Sequence, residues 1–219
     1  MRSAVEPGVA TARAVVYRFL ARCFSFPDVE LVKLFDGESL TECLDGWRTL
    51  GLDVTSEAAE ITAWLRSAGS EAALQELQLE YTRLFVNAYP RIPAPPYSSV
   101  YLGEDRLVWG QSTARAAKLY EAAGLHMAED FAEIPDHIAA EMEFASYLIV
   151  EQRRKRDDSS DSVSDLAAIE DEFLNQHLFQ WAPAFFGRVA ECSRVPFYRL
   201  MAEKAHLLIE WDVRHISGT

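Results

Sequence analysis

The chain is poor in cysteine. Cys23, Cys43 and Cys192 are the three it has in 219 residues, and they lie far apart. An odd number with no C-x-x-C spacing argues against a disulfide framework and against a zinc site. Cys23 falls on an apolar helix face and is expected in the core, where free cysteine behaves as a small hydrophobe. Long apolar runs are missing too. None approaches about 18 residues, so no transmembrane helix is expected. The N-terminal stretch MRSAVEPGVATARAVVYRFL lacks a basic start, a clean apolar middle and a small-residue cleavage site, so no signal peptide and a cytoplasmic location are expected. Basic charge is scarce: 21 Lys and Arg stand against 34 Asp and Glu, a net charge of −13. That disfavours nucleic acid, which needs a basic footprint. An acidic surface either keeps the protein soluble or attracts a basic partner. Phosphate cradles are absent: there is no G-x-x-x-x-G-K-[ST] and no G-x-G-x-x-G, and the EDRLVW segment between Gly103 and Gly110 holds no lysine. There is no G-x-S-x-G, and no cysteine sits in a basic context, so nothing argues for a nucleophilic enzyme.

What the chain does have is helical periodicity. Ala12, Val15/Val16, Phe19/Leu20 and Cys23 step by three or four, and Pro27 ends that helix. A short helix is expected over Val29–Phe35, stopped near Gly37. Glu57–Ala68 follows, with Ser56 or Thr55 as N-cap and Gly69 closing it. Glu71–Val86 carries Leu74, Leu77, Tyr81 and Leu84/Phe85 on one face. Ser112 or Thr113 caps a helix to Ala123, with Gly124 as its C′ residue. Pro135 opens a long helix to Arg156 whose broad apolar face marks it as central. Asp157–Ser164 reads as a flexible loop. Helices over Val163–Leu178, Phe179–Ala190 and Pro196–His215 complete the chain. No sustained apolar/polar alternation appears, so no sheet is expected. The fold class is all-α, a bundle of about ten helices, with 49% hydrophobic residues enough for a substantial core.

One segment interrupts the pattern. Between Tyr81 and Gln111, prolines at 90, 93, 95 and 96 stand among Tyr89, Tyr97 and Tyr101. Proline lacks the amide proton and drives its predecessor toward extended geometry, so this stretch is expected as loop. It carries too many rings for a free linker. A stiff apolar loop on a helical body makes a binding surface. Downstream, His137 and Glu141 lie four apart on one helical face, with Glu143 near. Half a metal site, a ligand contact, or a plain structural role in which His137 bonds nearby backbone and Asp136 favours the helix start all remain open.

Three blocks of this sequence resemble the TorD/DmsD family of cytoplasmic chaperones that assist maturation of molybdenum-containing oxidoreductases. The first runs Glu80-Tyr81-Thr82-Arg83-Leu84-Phe85 and then Pro93-Ala94-Pro95-Pro96-Tyr97-Ser98-Ser99-Val100-Tyr101. The second is Ile134-Pro135-Asp136-His137-Ile138, followed by Glu141 and Glu143-Phe144. The third is His177-Leu178-Phe179-Gln180-Trp181, with Pro196-Phe197-Tyr198 after it. PAPPYSSVY and the LVWGQST that follows look most like the DmsD-type branch, with Tyr97 and Tyr81 where that branch often carries tryptophan. The resemblance implies a single two-lobed helical domain: an N-terminal lobe to about residue 124, a hinge over about 125–134 and a C-terminal lobe from about 135. It also implies a groove for a partner's twin-arginine signal peptide. Family binding positions fall on Tyr81, Leu84, Phe85, Pro96, Tyr97, Pro135, Asp136 and His137. The implied partner is the immature catalytic subunit of a molybdoenzyme together with that signal peptide. No cofactor is expected; guanine-nucleotide binding enters through the resemblance alone. Residues 124–134 hold little to fix their path, which predicts a monomer or a domain-swapped dimer. Two rival readings stand beside this: a small-molecule enzyme using His137 and Glu141, and a general helical interaction scaffold. A closed polar pocket at His137 would favour the enzyme, an open apolar groove the chaperone.

Overall fold

A computed structural model describes residues 6–103, 108–125, 134–157 and 163–215. Among them are eleven α-helices, two π-helical turns and no strand. The all-α expectation holds. Most of the predicted hinge and of the Asp157–Ser164 loop lies outside the described residues.

Helix α1 (Pro7–Cys23) opens with proline in its first turn, where the missing amide costs nothing. The expected stripe of Ala12, Val16, Phe19, Leu20 and Cys23 is buried, but so are Arg13 and Tyr17 on the flank. α1 is therefore central. It packs along α8 (Ile138–Asp157), against α3 (Glu38–Thr49) and against α11 (Pro196–His215). Helices from both predicted lobes share one continuous apolar core. α2 (Val29–Leu34) is capped by Asp28, whose carboxylate accepts from the Leu31 amide at 3.0 Å.

No helix was expected between Gly37 and Thr55, yet α3 lies there. Its signal is a short stripe: Cys43 and Trp47 are buried, and Leu40 and Leu44 pack on the core. Gly46 lets α3 approach α1 closely. A Cβ at that position would stand 3.1 Å from Val16 Cγ2 and 3.3 Å from the Ala12 carbonyl. α4 (Thr55–Ala68) is not capped by Ser56 or Thr55. Instead, Asp53 accepts from the Thr55 amide at 3.0 Å. Gly69 then turns the chain with φ +79° into α5 (Ser70–Tyr81).

Two regions depart from simple periodicity, both at residues of the resemblance. The helix expected to run to Val86 loosens at Tyr81 into a π-turn over Thr82–Val86, closed by the Asn87 amide on the Thr82 carbonyl at 2.8 Å. A second π-turn, Leu174–Leu178, joins α9 (Val163–Phe173) to α10 (Phe179–Cys192). The expected break at Phe179 does not occur; the chain stays helical from Val163 to Cys192. Each π-turn adds one residue to a turn and so rotates the side chains that follow. Leu84 and Phe85, and then Leu174, His177 and Leu178, all face inward as a result.

The proline segment is also not loop throughout. Directly after Pro95-Pro96, with Tyr97 extended, the chain forms the five-residue helix α6 (Ser98–Leu102). α7 (Gln111–Ala122) follows, its first turn tied by the Gly110 amide to Thr113 Oγ1 at 3.1 Å. Gly124, at φ +84°, ends it as expected.

Candidate functional site

The residues singled out from the sequence come together, but mostly inside the protein. Two backbone hydrogen bonds join the proline segment to the start of α8: Ser98 N to Asp136 O at 3.0 Å, and Ile138 N to Pro96 O at 2.9 Å. They frame a single antiparallel bridge between Tyr97 and His137. A third bond, Ala94 N to Leu84 O at 3.0 Å, straps the loop to the π-turn. Pro96 and Pro135 are buried within this clasp. Tyr81, Leu84 and Phe85 are buried beneath it.

The resemblance puts Asp136 among the signal-peptide positions. Asp136 is wholly buried, and its Oδ2 accepts from the Ser99 amide at 2.8 Å, with the Ser98 hydroxyl at 3.4 Å. α6 has no cap from its own preceding residue, so a carboxylate from across the fold satisfies its first turn. Asp136 was also read as favouring the start of its own helix; it serves α6 instead. His137 does what the plain structural reading said. Its Nδ1 accepts from the Ala139 amide at 3.1 Å and caps α8. Nδ1 must then be unprotonated and Nε2 carries the hydrogen, 3.5 Å from the Tyr81 hydroxyl. Burial lowers the His137 pKa to about 4, against the opposing pull of Asp136, so the ring is neutral.

Tyr97 is the half-buried member. Its ring stands edge-on to His137 at 5.3 Å. On the other side Tyr81 meets Phe26, centroids 5.4 Å apart. Phe26 is 53% exposed and had not been singled out. It lies just before Pro27 and off the α1 stripe, and a large ring that a helix pattern leaves unused is a signal of its own. Phe26, Tyr81, His137 and Tyr97 thus form a chain of rings that is accessible at both ends. Glu143, exposed on α8, lies close enough to Arg22 for that charge to temper the rise that desolvation causes in its pKa.

A second cluster lies deeper. Glu141 stands in the sequence as a candidate partner of His137. It is fully buried, with Oε1 2.6 Å from His177 Nε2 and Oε2 accepting from the Trp181 indole at 2.9 Å. Desolvation raises its pKa, and His177 and Trp181 hold back part of that rise. The other ring nitrogen, His177 Nδ1, is buried without a hydrogen-bond partner. Asp136 Oδ1, Ser99 Oγ and Tyr101 Oη are likewise buried without hydrogen bonds. Glu80 is buried too: Arg83 grips it with two bonds of 2.7 Å, and the Arg194 amide adds one of 2.6 Å.

His137 and Glu141 are therefore not a working pair. Each is buried and engaged by a different partner. Among the described residues, no group of three or more His, Cys, Asp or Glu is placed to hold a metal, and no helix is long and apolar enough to cross a membrane.

Comparison with known proteins agrees with the three blocks. Residues 50–187 match the family model of the nitrate reductase delta subunit. The chain is 28% identical over 148 residues to the chaperone protein TorD of Aliivibrio salmonicida, covering 68% of this chain and 67% of that one. It is 31% identical over 140 residues to the TorD of Photobacterium profundum, covering 62% and 63%. Among solved structures, a protein described as a redox enzyme maturation protein from Archaeoglobus fulgidus superposes with a TM-score of 0.53 at 27% identity, over 90% of this chain and 93% of that one. These matches speak for the family, not for the DmsD-type branch within it. They also set aside the small-molecule enzyme, since the named relatives are chaperones. With residues 50–187 matching its model, this chain belongs to the nitrate reductase delta subunit family.

Proposed function

We propose that this protein is a maturation chaperone that receives the twin-arginine signal peptide of an immature molybdenum-containing oxidoreductase subunit. The observation that carries the reading is the row of rings from Phe26 through Tyr81 and His137 to Tyr97, held by the clasp and reachable at its two ends. A twin-arginine signal has a basic start and a moderately apolar middle. Phe26 and Tyr97 offer the apolar edge. The prolines beneath them are already ordered, which lowers the entropic cost of binding. Glu143 offers an exposed carboxylate for an arginine fork, in a chain whose net charge of −13 draws a basic peptide in. In this reading Tyr81, Leu84, Phe85, Pro96, Pro135, Asp136 and His137 act from below, by fixing the edge. The relatives' names support the chaperone role.

The test is calorimetric titration of a twin-arginine peptide and its twin-lysine counterpart into wild type, Phe26→Ala, Tyr97→Ala and Glu143→Gln, with circular dichroism to show that each variant folds. Tyr97→Ala should weaken binding by about 1–3 kcal/mol through lost apolar contact. Glu143→Gln should weaken the twin-arginine peptide more than the twin-lysine one, and the loss should shrink as salt rises. Folded Phe26 and Tyr97 variants that bind like wild type would place the peptide elsewhere.

A further inference from the structure

A groove of about 560 Å³ lies between the proline segment, α6 and α10. Pro93, Pro95, Val100 and Tyr101 supply its apolar lining, and Arg91 and Arg188 its charge. The two arginines line the same groove. Four other arginines are paired with carboxylates: Arg18 with Glu42, Arg66 with Asp36, Arg115 with Glu172, Arg199 with Glu60. Among the described residues, neither Arg91 nor Arg188 has a carboxylate within ion-pair reach. Acidic residues outnumber basic ones 34 to 21, so two unneutralised arginines in one groove are unexpected.

The groove is also built rather than incidental. Arg188 donates from Nε to the Pro93 carbonyl at 2.8 Å, which fixes one edge of the guanidinium and leaves its terminal nitrogens over. The Tyr101 hydroxyl, buried without a hydrogen-bond partner, belongs to the same lining. Arg188 is near enough for its charge to oppose the effect of burial on that hydroxyl. The walls are prolines whose backbone is already fixed, so little order must be gained on binding.

We propose that this groove docks an acidic, apolar segment of a partner protein. A carboxylate of that segment meets the free edge of Arg188 and the guanidinium of Arg91, the geometry in which an arginine fork binds best. A neighbouring aliphatic side chain of the segment lies on Pro93, Pro95 and Val100. The sign of the charge rules out a twin-arginine start as occupant, so this site and the ring edge at Phe26 and Tyr97 take different parts of a partner. The inference rests on the groove's own residues and stands whether or not the signal-peptide reading does.

The test uses fluorescence anisotropy with a short labelled peptide alternating Glu and Leu, and a second alternating Gln and Leu. Wild type should bind the Glu peptide at least about tenfold more tightly at low salt, and the preference should fade as salt rises. Arg91 is exposed, so Arg91→Gln leaves the fold alone, and it should weaken the Glu peptide several-fold. Arg91→Gln/Arg188→Gln should weaken it by about tenfold or more while leaving the Gln peptide unchanged. Arg188→Lys, which keeps the charge and loses the fork, should fall between. Equal affinity of wild type for both peptides, no saturable binding of the Glu peptide, or an unaltered affinity in the double variant would each overturn the proposal. Loss of twin-arginine peptide binding in the double variant would overturn it too, by showing one shared site.

Discussion

Two polar clusters are buried in the same core, and they differ in how fully they are paired. In the first, Arg13 of α1 holds Asp212 of α11 with bonds of 2.8 and 2.9 Å and Glu170 of α9 at 3.0 Å. Tyr17 donates to Asp212 at 2.7 Å, and Gln152 donates to Glu170 at 2.6 Å. Burial alone would lower the Arg13 pKa, but Asp212 and Glu170 more than offset it, and the guanidinium stays charged. The second cluster surrounds the clasp. There Asp136, His177, Ser99 and Tyr101 each leave a buried polar atom without a partner. Satisfied networks of this kind fix a fold, and buried polar atoms without partners call for an explanation of their own. The first cluster stitches helices from the two ends of the chain. The second lies beneath the surface to which we assign binding.

That contrast can be broken first at Arg13. Arg13→Met leaves Asp212 and Glu170 buried beside an apolar side chain, and urea unfolding should show a loss of about 3–5 kcal/mol. Tyr17→Phe, which removes one charge-assisted bond, should cost about 1.5–3 kcal/mol by the same measurement.

The clasp should reveal itself through pH. His137 is neutral when folded, with its pKa lowered to about 4, and titrates near 6.5 when unfolded. Between those values only the unfolded chain takes up the proton. The stability tied to the neutral ring is therefore full above pH 6.5 and is lost as pH falls to about 4, by on the order of 3 kcal/mol at most. Glu141, whose pKa is raised, acts the other way and above its ordinary range. His137→Asn keeps an acceptor for the Ala139 amide and removes the titration. Its unfolding free energy should be flatter than wild type across that window; an unchanged slope would assign the pH dependence to another group.

A smaller effect is expected at Asp136. Asp136→Ala uncaps α6 and should cost about 1–2 kcal/mol, whereas Asp136→Asn retains an oxygen for the Ser99 amide and should cost less. Hydrogen exchange at the Ser99 amide would separate the two. Smallest of all is Ser99→Ala. It deletes a buried hydroxyl that has no partner, so unfolding should show it neutral or slightly stabilising. A clear loss there would mean the clasp is as fully paired as the Arg13 cluster, and the contrast would fail.

Most of the helices are legible in the sequence, because the three-to-four spacing of Val16, Leu20 and Cys23, or of Leu77, Tyr81 and Leu84, sets one buried face; α3 and α6, short and weakly patterned, are not. The sequence by itself also determined where that pattern gives way, because prolines cannot donate the bonds a helix requires. It brought Pro96, Tyr97, Asp136 and His137 together only through resemblance, since no local rule joins residues some forty positions apart. Tertiary structure decided which way each side chain was spent. The carboxylate of Asp136 looks the same in sequence whether it faces water or the end of α6. Arg13 reads as a polar flank until Asp212, 199 residues away, arrives to pair with it. The π-turns at Thr82 and Leu174 leave no mark in the spacing, yet one extra residue in each turns Phe85 and His177 inward. Periodicity is local and survives in the string of letters. The partner of a buried charge is set by packing over the whole chain, and only the folded protein contains it.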